Sequence, residues 1–187
     1  MKYKSRWIIL SLAVITLFNL FFQYSVYQKT LNLFWSTSDD KEYLHSTINS
    51  MIFVFQGFSI FASLIAILIG SLVISFIGFL LDIKKTRKDY LFVYTLTSLF
   101  VSFKVVLTGA INLSGLTTDT NDIVILGNQS VLSQVLDPFL WLGVVLFFLL
   151  GIKTLSSSKN KVFILTLVYL SLKSINILSS YFLHYIV

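Results

Sequence analysis

The sequence predicts an all-α protein: a polytopic transmembrane helical bundle with five spans, its N-terminus inside and its C-terminus outside. Three observations predict it. Of the 187 residues, 56% are hydrophobic and 12% are charged, about half the ~25% charge of an ordinary soluble domain, and mean hydropathy is +0.86. The apolar residues fall into runs near the ~20 residues that a helix needs to cross a ~30 Å hydrocarbon core. Those runs are continuous, without the period-two alternation of a lipid-facing β-strand. Together they exclude a soluble globular enzyme and a disordered chain.

The first span runs from Trp7 to about Gln28. Its basic start (Lys2, Lys4, Arg6) resembles a signal peptide, but bulky Phe21, Phe22 and Tyr24 stand where a small-x-small cleavage pattern belongs. An uncleaved helix is expected. The second run, Ser50 to Leu81, is too long: 32 residues extend ~48 Å at 1.5 Å each. It must tilt, break near Gly57 or Gly70, or project, and projection on the outer side is favoured because Thr47, Asn49 and Gln56 are polar. The third span runs from Leu91 to Leu113 and the fourth from about Asp137 to Ile152, with 131–136 as a possible lead-in. The fifth runs from Val162 to about Tyr185. Residues 123–136 mix apolar and polar groups and are expected to lie along the interface as a short helix. The loops 29–49 and 114–136 are too small for a soluble domain, so residues 1–187 read as one transmembrane domain.

Basic residues set the orientation. Ten of them (Lys2, Lys4, Arg6, Lys84, Lys85, Arg87, Lys88, Lys153, Lys159, Lys161) fall on one side, against Lys29 and Lys41 on the other. The rich side is cytoplasmic. The net charge of +6 is therefore a membrane feature. It should attract anionic lipid head groups at ~1 kcal/mol per residue, and nucleic acid is not an expected partner. Lys outnumbers Arg 12 to 2, a bias pointing to an AT-rich genome and the plasma membrane of a Gram-positive bacterium.

Charged groups inside a span cost ~2.5–3.5 kcal/mol on insertion scales and invite a functional reading. Lys104, Lys173 and Asp137 are such groups. Counted from the span ends they lie ~21, ~18 and ~24 Å from the inner side, so Asp137 is expected to pair with Lys104, Lys173 or both. The competing expectation is that the lysines snorkel while Asp137-Pro138 starts a helix. Polar residues form stripes: Thr16, Asn19, Gln23 and Tyr27 in span one; Thr97, Lys104, Thr108 and Asn112 in span three; Thr166, Tyr169, Lys173, Asn176, Ser180 and His184 in span five. Each stripe shares a helix face. Such faces either line an outward cavity for a peptide or small solute, or hydrogen-bond helix to helix. In span two, Ala62, Ala66 and Gly70 recur every four residues and should allow close helix packing.

Catalytic chemistry is sparse. The chain has no Cys and two His. His45, in an outer loop beside Asp40 and Glu42, is too poor a donor set for a metal. No Gly-rich phosphate loop occurs. A non-enzymatic protein without cofactor or metal is expected.

The run Leu136-Asp137-Pro138-Phe139-Leu140-Trp141, leading through Gly143 to Gly151-Ile152 and a short basic loop of Lys153 to Lys161, resembles the opening of the fourth span in the Yip (Ypt-interacting) family of five-pass membrane proteins. Lys84-Lys85-Thr86-Arg87-Lys88 replaces the Gly-rich loop often found between spans two and three of that family, and the acidic Tyr-Gly-Pro motif of eukaryotic members is missing. Bacterial relatives sometimes accompany ABC exporters linked to peptide toxins. The resemblance therefore implies an accessory subunit of an ABC-type exporter, or a protein of immunity against a bacteriocin, with transporter subunits as partners. The alternative is a self-contained channel or carrier whose path is lined by spans one, three and five.

Overall fold

A computed structural model describes residues 2–37, 41–114, 136–156 and 158–186; the side chains of 2, 31–49, 51, 52, 55, 56 and 176–186 lie outside the description. All regular structure among the described residues is helical: α1 (Lys2–Thr37), α2 (Lys41–Leu80), α3 (Arg87–Leu113), α4 (Pro138–Thr154) and α5 (Lys159–Ile186). Three stretches, Tyr3–Thr30, Gly57–Leu80 and Arg87–Leu113, are long and apolar enough to cross a membrane, and α4 is a shorter apolar helix. Large apolar side chains point outward, with Phe53 78% and Phe79 76% exposed. A water-soluble surface does not carry so many; lipid is the solvent that accommodates them.

The helices alternate in direction. α1 and α3 are parallel and pack most extensively: Lys4 meets Asp89, Phe18 meets Phe103, and Ser25 meets Asn112, at a nearly constant sequence offset. α2 runs against α3, with Gly70 under Tyr94 and Gly78 under Tyr90. α4 runs against α3, with Asp137 beside Lys104 and Gly143 beside Val101. α5 runs back along α4, where Val162 meets Gly151 and Tyr169 meets Phe147. The α2–α3 and α4–α5 turns and the start of α1 thus meet at one end. There Lys161 Nζ donates to the Asp82 carbonyl (3.4 Å) and Lys4 pairs with Asp89 (2.5 Å).

Local chemistry sets the helix ends. At the end of α2, Ile83 N–H donates to Gly78 O and Asp82 N–H to Phe79 O, both 3.0 Å, while Asp82 takes φ 53°. This is a Schellman closure with Asp where Gly is usual. Asp89 starts α3 four residues before the apolar run, because its carboxylate accepts from the Thr86 N–H (3.0 Å) and hydroxyl (2.8 Å). Asp137 caps α4, accepting from Phe139 N–H (2.9 Å), with Pro138 in the first turn.

Some expectations change. α2 passes through Gly57 and Gly70 unbroken, which removes the alternative of a break but leaves the favoured reading of a projecting helix untouched. α1 extends to Thr37 and α2 begins at Lys41, so His45 lies on a helix rather than in a loop. Ala62 and Ala66 are exposed; of the span-two series only Gly70 is buried against another helix. The expected interfacial helix at 123–136 lies outside the described residues except for Leu136.

Candidate functional site

The polar residues of the spans divide into three groups. The first satisfies itself. Thr16, Thr97, Thr108 and Thr166 each donate to the carbonyl four residues back, at 2.8–2.9 Å. Hydroxyls can do this inside any helix, so most of the hydroxyl stripes carry no message about a water path.

The second group joins helices. Asn19 donates to Ile15 O (2.9 Å) and to Ser63 Oγ on α2 (3.2 Å), and Gln23 donates to Ser59 Oγ (3.0 Å). Asn112 donates to Ser25 Oγ at 3.5 Å, tying α3 to α1. Lys104 Nζ is paired with Asp137 Oδ2 across α3 and α4, and the two side chains are 19% and 13% exposed. Asp137 uses its other oxygen for the cap. Pairing and capping, set against each other in the sequence, coexist because a carboxylate has two oxygens. Ser59, Ser63 and Ser25 were not singled out as polar partners. Their signal was a one-face match with the amides of α1 and α3.

The third group lines an open cavity of about 460 Å³ between α1, α2, α3 and α5. Its lining is chiefly apolar, with Tyr94, Ser98, Ser102, Asn19, Ser63 and Lys173 as its polar members. Lys173 does not meet Asp137. Its Nζ lies 5.5 Å from the Tyr94 ring centroid and 5.6 Å from that of Tyr169. Those rings belong to an aromatic core: Tyr94 meets Tyr169 edge-on at 5.6 Å, and Phe147 stacks on Tyr169 at 4.7 Å. Facing ring quadrupoles stabilise an ammonium by ~0.5–2 kcal/mol, less than a desolvated charge costs. Ser98, 5% exposed, is the one described side chain with a buried oxygen that has no hydrogen-bond partner.

The eight residues expected to form one intramembrane cluster (Lys104, Asp137, Lys173, Asn176, Thr108, Asn112, Asn19, Gln23) are thus distributed. Lys104 and Asp137 form one pair, Asn112 a second contact, Asn19 and Gln23 two more, and Lys173 lies at the cavity that Asn19 also lines. Thr108 serves its own helix. The side chain of Asn176 lies outside the description. No group of three or more metal-ligand side chains occurs among the described residues. Comparison with known protein families, curated proteins and solved structures finds no significant match.

Proposed function

We propose that the chain is a non-enzymatic subunit of a larger assembly in a bacterial plasma membrane, crossing it five times with the basic end inside. The assembly would be an ABC-type exporter or a system of immunity against a membrane-active peptide, as the Yip-like run at 136–152 suggests. The observation that carries the subunit reading is where the polar groups go. The Lys104–Asp137 pair and the amides of Asn19, Gln23 and Asn112 are engaged in helix-to-helix contacts. A small bundle built this way holds itself together and offers partners its broad apolar outside.

Purification in mild detergent followed by mass spectrometry tests this. Co-recovery of an ATPase or permease chain in fixed proportion is expected. Recovery as a monodisperse single species overturns it. The second reading, a self-contained carrier, is favoured by the Lys173 cavity alone. It requires solute flux into liposomes holding only this protein; the subunit reading requires none.

A further inference from the structure

We propose that the cavity around Lys173 binds a single-chain amphiphilic carboxylate, with the carboxylate at the Lys173 ammonium and the Ser98 hydroxyl and the acyl chain along the apolar wall. The inference needs the chain to lie in a membrane and is independent of which subunits it joins.

Four observations carry it. First, Lys173 faces the cavity with two aromatic rings as neighbours, and no described carboxylate is close enough to pair with it: Asp89 is held by Lys4, Asp137 by Lys104, and Asp82 lies in the turn at the basic end. An ammonium in apolar surroundings calls for an anion. Second, Ser98 lines the same cavity with a buried hydroxyl oxygen lacking a partner. A turn about its χ1 would bring the O–H into the cavity to donate to a carboxylate oxygen, which would complete both groups at once. Third, most of the remaining wall is apolar: Ile15 and Ile67 are buried there, with Val101, Val105 and Leu172 beside them, while the amide of Asn19 is engaged with Ile15 O and Ser63 Oγ. One cation and an apolar wall fit a monoanion with a hydrocarbon tail better than a sugar, a nucleotide or a polyanion. Fourth, Ile69 of α2 and Ile175 of α5 line the cavity and are 55% and 58% exposed, so the cavity is open at the edge they form. The cavity therefore opens sideways, towards lipid, which is the route an acyl chain takes.

Size narrows the class. About 460 Å³ is at the lower part of the ~300–1,000 Å³ range of small-ligand sites. It suits one medium-length chain and excludes a whole two-chain phospholipid.

The test uses the full chain in nanodiscs of neutral phosphatidylcholine, with carboxyl-13C decanoate as probe and empty nanodiscs as blank. A saturable, protein-dependent shift of the carboxyl resonance is expected, with decanol failing to displace the probe. Lys173→Gln should weaken binding by at least about tenfold, in keeping with loss of one partner of a desolvated charge pair, while Lys173→Arg retains it. Ser98→Ala should weaken it by a smaller factor. Equal displacement by decanol would show an apolar groove only and overturn the assignment. So would unchanged binding by folded Lys173→Gln, or equal displacement by phosphatidylglycerol, which would mark a general anionic-lipid surface. If Lys173→Gln fails to fold, the comparison of decanoate with decanol on the unaltered chain still decides. Partner recovery is read separately, so failure here and failure of the subunit reading remain distinguishable.

Discussion

Lys104, Asp137 and Lys173 were all marked by the cost of charge in apolar surroundings, yet they end in different settings. Lys104 and Asp137 satisfy each other, while Lys173 is stacked on Tyr94 and Tyr169 at the cavity. Depth estimates brought all three to similar heights but could not choose between the lysines, because that depends on which faces of α3 and α5 turn towards α4. Removing either partner of the pair leaves the other charge unmatched. Lys104→Met should therefore destabilise the fold by about 3 kcal/mol, the lower end for breaking a buried pair, in a denaturing-detergent titration. Asp137→Asn should cost less than Asp137→Ala, since Asn retains a capping oxygen and a lost cap adds about 1 kcal/mol. The exchange Lys104→Asp with Asp137→Lys should recover part of what either single change loses. No recovery would mean that the contact does not hold α3 to α4.

At the scale of elements, small residues decide how closely the helices approach, though not the ones the four-residue spacing selected. A Cβ at Gly70 would overlap the Tyr94 phenol, and one at Gly78 the Tyr90 phenol. Ala62 and Ala66 are exposed. The spacing was legible, but the tyrosines that require the space stand on α3, and no pattern within α2 names them. Gly70→Ala and Gly78→Ala should each lower stability by about 1–3 kcal/mol through overpacking. Gly57→Ala, with open space around the added carbon, should be neutral or stabilise slightly through better helix propensity. Comparable losses at all three positions would refute the close-approach account. The hydroxyl stripes illustrate the same limit. Thr97 and Thr166 are spaced like cavity-lining residues, but their hydroxyls are used within their own helices.

For the whole molecule, the alternation of helix directions gathers the α1 start, the α2–α3 turn and the α4–α5 turn at one end. The lysines and arginines that the sequence assigns to the inner side belong to these segments. The five-span arrangement proposed above would place the two chain ends on opposite sides. The chain has no cysteine, so single introduced cysteines report cleanly. In intact cells a membrane-impermeant maleimide should label Asp119→Cys and spare Lys85→Cys until the membrane is opened. Labelling of both in intact cells would refute the topology.

Composition and run length by themselves determined the helical class and the charges that need compensation, because those follow from how backbone and side chains partition between lipid and water. Only the tertiary structure decided which lysine Asp137 holds, that α1 pairs with α3 in parallel, and that four helices leave a cavity at Lys173. These depend on the rotation of each helix about its own axis, which is settled by side chains meeting across helices and has no signature within a single run.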